Sequence, residues 1–188
     1  MIYTTKDMRI VPFERHQHMT ETYRSWFNDP DVTRYNSHGL FPYSPGAMEA
    51  FVRDIENGSA SRIIWAIECA VFDSRQPVEP DWYHVGNCSL QAINMLNRST
   101  ELAIVLGDRR GKGVGTQACK WILNHAFLKL GLNRVWTGTA ATNIGMNKIC
   151  AGLGMTREGV FKDGTFLDGE FVDIYAYGIT RSAWNALR

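Results

Sequence analysis

The sequence predicts an α/β fold: a mixed, mostly antiparallel central sheet flanked by helices. Three observations carry this. The segments follow the order strand, two helices, three strands, helix, strand, helix, two strands, which is the order of a layered sheet-and-helix domain. One unit, residues 99–130, reads as strand, glycine-rich turn and amphipathic helix. The chain has 188 residues, 45% of them hydrophobic, which is the size and composition of a single domain with its own core.

In chain order, the first segment is a strand at residues 8–12. A helix follows in which Met19, Tyr23, Trp26 and Phe27 share one face, and Asp29-Pro30 breaks it. Residues 35–43 are an aromatic-rich loop. Ser44-Pro45 supplies an N-cap and a first-turn proline; Phe51, Val52 and Ile55 give the next helix its apolar face, and Gly58 ends it. Residues 62–71 and 82–93 are strands joined by a polar loop at 73–81 that contains two prolines. Residues 94–98 turn the chain into the strand 99–106, which is rich in β-branched residues. The helix 116–130 places Cys119, Ile122, Leu123, Ala126, Phe127 and Leu130 on one face before Gly131 stops it. A strand at 134–139, a helix opened by Asn143, and two strands around a loop at 164–169 complete the chain.

Residues 107–115, Gly-Asp-Arg-Arg-Gly-Lys-Gly-Val-Gly, join the central strand to its helix. Alternating glycines let the backbone approach a ligand with several N–H groups turned one way. The following helix adds its free first-turn N–H groups and positive dipole end, and Arg109, Arg110 and Lys112 add charge. This is a phosphate-binding turn, and two kinds of it are excluded. A P-loop needs four residues before its Gly-Lys and a Ser or Thr after. Here Gly107 is one residue too close to Gly111-Lys112, and Gly113 follows the lysine. A dinucleotide fold needs a carboxylate at the end of the next strand, which here runs into Ala-Ala-Thr-Asn. What remains is Arg110-x-x-Gly113-x-Gly115 after a strand carrying its own acid, Glu101.

At these residues the chain resembles the GCN5-related N-acetyltransferase superfamily, whose acetyl-CoA pyrophosphate loop has an Arg/Gln-x-x-Gly-x-Gly/Ala pattern. The segment from Asn143 to Met155 is similar to that family's Asn-led helix ending in Leu-Gly-Phe, with Met155 in place of the phenylalanine. Residues 173–184 and 26–35 resemble the branch named for ribosomal-protein N-terminal acetyltransferases. The resemblance implies one acetyltransferase domain over residues 1–188, acetyl-CoA as acyl donor and no metal. It implies a cofactor site made of Val105, Leu106, Arg110, Gly111, Lys112, Gly113, Val114, Gly115, Thr116 and Asn143. Val105 and Leu106 would offer backbone groups to pantetheine, and the Asn143 amide would bond pantetheine or an ordered water.

The chemistry that the resemblance implies is modest, because a thioester is already activated. An acceptor amine is mostly protonated at neutral pH, so a carboxylate has to take a proton directly or through water. Glu101 is the candidate base; its alternative is an exposed Glu paired with a neighbouring Arg. A general acid for the departing thiolate often comes from a tyrosine seven residues after the helix asparagine, and here that position is Cys150. Tyr175 and Tyr177 on the last strand are alternatives to Cys150, itself as readily a small core residue.

The acceptor expected from the resemblance is a small-molecule amine, such as an amino sugar that can be nucleotide-linked, or else a protein N-terminus. A non-catalytic acyl-CoA sensor is the alternative of another class. Trp26, Tyr35, Phe41 and Tyr43 form an expected binding rim, with Ser89 as a further acceptor contact. Arg24, Arg34 and Arg53 would suit the phosphates of a nucleotide-linked sugar. His16 and His18 read as a solvated helix start and His84 as a half-buried structural histidine. Cys69, Cys88, Cys119 and Cys150 are widely spaced within apolar patterns, which reads as reduced thiols of a cytoplasmic protein. A net charge of +1 gives no pull toward nucleic acid, and no apolar run is long enough to span a membrane. The start lacks a signal peptide's apolar segment. A monomer or homodimer is expected.

Overall fold

The computed structural model describes residues 2–58, 60–71 and 80–188. Eight strands form one sheet: β1 (Tyr3–Thr4), β2 (Met8–Pro12), β3 (Ile63–Val71), β4 (Asp81–Asn94), β5 (Ser99–Leu106), β6 (Arg134–Ala140), β7 (Thr156–Leu167) and β8 (Glu170–Thr180). Their order across the sheet is β1-β2-β3-β4-β5-β6-β8-β7. Every neighbouring pair is antiparallel except β5 and β6, which are parallel. The exception follows from connectivity. A parallel pair needs a crossover connection, which α5 supplies between β5 and β6, whereas the consecutive strands β3–β4, β4–β5 and β7–β8 pair antiparallel. The expected mixed, mostly antiparallel sheet is what the chain forms.

Helices cover both faces. On one lie α1 (Arg15–His18), α2 (Glu21–Trp26), α3 (Pro30–Thr33) and α4 (Pro45–Glu56). Their apolar residues Tyr23, Trp26, Phe27, Met48 and Val52 pack with Val11, Phe13 and Ala66. On the other lie α5 (Val114–Asn124), α6 (Ile144–Gly152) and α7 (Arg181–Ala186). Here Ala118, Cys119, Ile122, Leu123, Phe127 and Cys150 meet Leu90, Leu102, Val135, Tyr177 and Ile179 in the larger core. Period-2 alternation explains the division: along β5, Leu102 turns to α5 while Glu101 and Ala103 turn to the opposite face.

Several boundaries differ from expectation, each for a local reason. The helix expected around Met19–Phe27 is two pieces, because Thr20 stops α1 and caps α2 with its hydroxyl, accepting from Tyr23 N–H at 3.1 Å. Asp29-Pro30 ends α2 but also starts α3, with Asp29 as N-cap and proline in the first turn. The central helix begins two residues earlier than expected, at Val114, and its last turn, His125–Lys129, widens to a π-turn. β7 and β8 run through most of the expected loop at 164–169. The turn is only Asp168-Gly169, both with positive φ (52° and 93°), and Gly164 sits within a bulge beside Phe161. The short strand β1 and the helix α7, capped by Thr180, have no counterpart in the sequence reading. Most of the expected loop at 73–81 lies outside the described residues. No helix among the described residues is long and apolar enough to cross a membrane.

Candidate active site

The parallel pair is short. β5 and β6 are paired only at Ser99–Arg134, Thr100–Val135 and Glu101–Trp136. Beyond Glu101 the strands part, so the backbone groups of residues 102–106 that point away from β4 have no ladder partner in β6. Opposite the divergence β4 carries an extra residue: Gln91 pairs with Glu101 and Asn94 with Ser99, and Ala92 takes φ 46°. Such a bulge bends and over-twists its strand. Thr100 Oγ1 donates to Gln91 O at 2.7 Å and fixes it. Val105 and Leu106 therefore stand where the gap is open, each half-buried.

The turn after β5 is a row of alternating left-handed residues: Arg109 at φ 58°, Gly111 at 75° and Gly113 at 82°. Alternation of this kind turns successive N–H groups to one side and makes an anion nest. A Cβ at Gly111 or Gly113 would meet nothing within 4 Å, so the glycines answer to φ and not to space. Gly113 is the N-cap of α5, with no side-chain cap and no acidic residue in the first turn. The first-turn N–H groups and the dipole end of α5 are thus left for a ligand. At the front of the turn a Cβ on Gly107 would collide with the indole of Trp26. The turn is seated on α2 by that contact, and Gly107 and Asp108 both donate to Val85 O, at 3.0 and 3.1 Å.

Lys112 and Thr116 are exposed, and Val114 and Gly115 are buried at the start of α5. Arg110 is also exposed, but its Nη1 donates to Asp31 O at 2.7 Å. Asn143 caps α6, its Oδ1 accepting from Met146 N–H at 3.1 Å, so its Nδ2 is the group left for another partner. The sequence reading missed Asn147, one turn on. Its Nδ2 bonds the carbonyls of Ala140, Ala141 and Asn143, and its Oδ1 accepts from Tyr177 Oη at 3.0 Å. An amide inside a helix that ends a strand is a detectable signal for such a junction, although Asn143 drew attention first.

Glu101 stands at the last paired position before the gap. Its carboxylate is half-buried, has no ion pair or hydrogen bond among the described residues, and is raised from the ordinary value of 4.5 by burial. The alternative of an exposed Glu held by an Arg is not what the chain builds. Beside it on the same face are Gln91 and Trp136, neither of them picked out in the sequence, and Ser89, which is buried and accepts from Gln91 Nε2 at 3.0 Å. Further out Gly138 is exposed although Thr137 and Thr139 on either side are buried, so this face of β6 is open while the other is covered by α6.

Cys150 lies on the covered side with 0% exposure, and burial pushes its thiol up to about 11. Tyr177 is buried near it, raised by burial, and Tyr175 is half-buried next to Thr139. The four cysteines are buried free thiols. The expected rim divides. Tyr35 and Phe41 are 38% and 79% exposed, whereas Trp26 is buried beneath Gly107 and belongs to the core. Tyr43 is half-buried against Phe27 and His38. Arg24 is ion-paired with Glu21, and Arg34 Nη2 with Asp168 Oδ2 at 3.0 Å.

The histidine pair separates as well. His16 is exposed as expected, but His18 is fully buried, because two residues of helix turn through about 200° and put the two on opposite sides. His18 Nδ1 accepts from Glu14 N–H at 2.8 Å, which leaves Nε2–H to face Glu68 Oε1 at 3.3 Å. His84 is held near pKa 4 by burial and is neutral at working pH; its Nε2 donates to Gly86 O and Asn87 Oδ1. Among the described residues no three His, Cys, Asp or Glu side chains stand together as a metal site.

Comparison with known proteins agrees with this geometry. The sequence profile of the acetyltransferase (GNAT) domain matches residues 7–156. An uncharacterized N-acetyltransferase of Bacillus licheniformis, p20, is 24% identical over 160 residues, 83% of this chain and 84% of that protein. Among solved structures, spermidine N-acetyltransferase from Vibrio cholerae, in complex with CoA and spermine, superposes with a TM-score of 0.77 at 18% identity. The match covers 96% of this chain and 99% of that one. RimL, a ribosomal L7/L12 α-N-protein acetyltransferase in complex with coenzyme A, gives 0.76 at 16% identity, covering 95% and 97%.

Proposed function

The chain belongs to the acetyltransferase (GNAT) family and is an N-acetyltransferase, and from that premise we propose that it acetylates the primary amine of a small molecule, with acetyl-CoA as donor and Glu101 as base. The observation that carries the reading is Glu101: a half-buried carboxylate without a cation partner among the described residues, raised by burial, at the point where β5 and β6 part. A carboxylate whose pKa lies nearer neutrality is a stronger base toward an ammonium, directly or through one water. We assign the anion nest of residues 109–113 and the uncapped start of α5 to the pyrophosphate, with Arg110, Lys112 and Thr116 beside it. Leu106 turns its backbone N–H and C=O away from β4 toward the pantetheine, those of Val105 are turned to Asn87 in β4, and Asn143 Nδ2, not used by the α6 cap, is assigned to the same cofactor. Acetyl-CoA supplies the activated acyl group, and unpaired β5 N–H groups are placed to stabilise the charge that develops on the carbonyl oxygen.

Cys150 takes no part in this reading, being sealed in the core with a thiol that holds its proton. A thiolate is a good enough leaving group to depart without it. The small-molecule class is favoured over a protein N-terminus because Tyr35 Oη donates to Thr142 O at 3.1 Å across the end of the gap and narrows the acceptor side. Arg24 and Arg34 already meet carboxylates, Glu21 and Asp168, which favours a plain amine, polyamine or amino sugar over a nucleotide-linked one.

The test is release of CoA thiol from acetyl-CoA in the presence of polyamines, amino sugars, amino acids and short peptides with free N-termini. Turnover with a small amine is expected. Turnover with peptides alone would reassign the acceptor, and CoA binding without turnover would make the protein a sensor.

A further inference from the structure

One segment is tied to both sides of the gap. Between Asn28 and Tyr43 the chain makes an excursion closed at its base by a two-way bond: Asn28 Nδ2 donates to Tyr43 O at 3.1 Å, and Tyr43 N–H donates to Asn28 Oδ1 at 2.8 Å. Inside it, Thr33 Oγ1 donates to Asp29 O at 2.9 Å and Asn36 Oδ1 accepts from His38 N–H at 2.9 Å. A loop with a closed base and internal bonds moves as a unit.

Three contacts then carry it across the molecule. Arg110 Nη1 donates to Asp31 O at 2.7 Å, Tyr35 Oη donates to Thr142 O at 3.1 Å, and Arg34 pairs with Asp168 in the β7–β8 turn at 3.0 Å. Arg110 stands in the turn after β5, and Thr142 stands in the turn after β6, next to the α6 cap Asn143. The loop therefore bridges the C-terminal ends of the two strands that part, and it is fastened to the two turns assigned above to the cofactor. Tyr35 and Phe41 are exposed on it.

We propose that residues 28–43 are a strap that couples the two substrate sites, so that CoA binding at the Arg110 and Asn143 turns orders the strap and sets the acceptor side, with Tyr35 as the positioning residue. This rests on the assignment of CoA to those turns. The chemistry permits it. A guanidinium has five N–H donors, so Arg110 can keep Asp31 O and still meet an anion, which makes it a physical link between pyrophosphate and strap. The far attachment is one exposed hydrogen bond and one exposed ion pair, and such contacts break readily enough to release product each cycle. Coupling of this kind is reciprocal: whatever orders the strap also tightens CoA.

Hydrogen exchange of the full chain, with and without CoA, tests this. In the wild type CoA should slow exchange across residues 28–43 by about tenfold, in the range of ordinary allosteric coupling, as well as protecting residues 107–116. Tyr35→Phe keeps the ring and loses only the donor. It should lose most of the strap's response to CoA and, by the same reciprocity, weaken CoA in calorimetry by no more than about tenfold. Asp168→Asn should weaken that response without abolishing it. Protection confined to residues 107–116 would overturn the coupling and leave the cofactor assignment standing. Absence of both heat and protection at millimolar CoA would overturn the cofactor assignment itself. A Tyr35→Phe strap that still answers to CoA in full would remove Tyr35 from the coupling.

Discussion

Replacing Glu101 by glutamine tests the proposed chemistry most directly, and the acceptor's own basicity sets the scale of the effect. The substitution keeps shape and hydrogen-bonding capacity and removes only basicity. The mutant then depends on acceptor that arrives already neutral. For an amine with a pKa near 10.4 that fraction is about 10⁻³ to 10⁻⁴ at pH 7, so kcat should fall by about 10³, inside the 10² to 10⁴ range for loss of a general base. The deficit should shrink about tenfold for each pH unit above 7, as free amine supplies itself. Stability should move the other way. Because burial raises the Glu101 pKa, the folded state binds its proton more tightly than the unfolded chain. The carboxylate's contribution is therefore lost as pH rises from 4.5 through the raised value, and at neutral pH the ionised group costs stability. Glu101→Gln should melt no lower than wild type at pH 7, with the two curves converging below pH 4.5. Measuring kcat from pH 6 to 10 beside Tm decides it. A mutant with wild-type kcat at pH 7, or one whose lost activity tracks a lowered Tm, would refute the role of Glu101 as base.

Three further substitutions probe other parts of the reading. Gly113→Asp should weaken CoA by more than about 100-fold in calorimetry, by putting a carboxylate in the anion nest; Gly113→Asn, which tolerates the left-handed region, should lose less than about tenfold. Cys150→Ala should leave kcat far closer to wild type than the roughly 10² that loss of a general acid costs, with a stability loss of about 1 kcal/mol for the vacated core volume. Burial pushes Glu68 up, but hydrogen bonds from His18 and Arg9 outweigh it and hold the carboxyl below 4.5, so its stabilisation is present above that pH and lost as pH falls through the lowered value. Glu68→Gln should cost about 1–2 kcal/mol at pH 7, since Arg9 is left without its partner, and should flatten the acid limb of the stability curve.

What was legible in the sequence was what is local. The caps at Ser44 and Asn143, the apolar face from Cys119 to Phe127 and the alternating glycines at 111 and 113 each depend on residues within a few positions of one another, and each stands where it was expected. What was not legible depends on partners far along the chain. Trp26 stood both on an apolar helix face and in the expected rim, and what decides for the core is distant in sequence: its seat against the bare backbone of Gly107. His18 looked solvated because its acceptor, Glu68, is fifty residues away on β3. Asp29-Pro30 was legible as a break but not as the start of a strap, since a strap exists only through Thr142 and Asp168.

The same distinction explains why the acyl donor can be argued further than the acceptor. In the proposed site the donor is recognised by backbone conformation in one turn and one helix start, and φ values leave a compositional trace in glycine. The acceptor side we propose draws on β4, β5, β6 and the strap, four segments that meet only in three dimensions, and the residues that meet there are ordinary ones. Gln91 and Trp136 become notable only because the register sets them on either side of Glu101. Substrate choice in such a site is decided by side chains on open elements, and the sheet beneath them is shared by proteins that differ in acceptor. Hence the acceptor class turns on the strap: if Tyr35 is tied to Thr142 whenever CoA is bound, the space before Glu101 is bounded and suits a compact amine, and if it swings free, the same floor is open to a chain terminus.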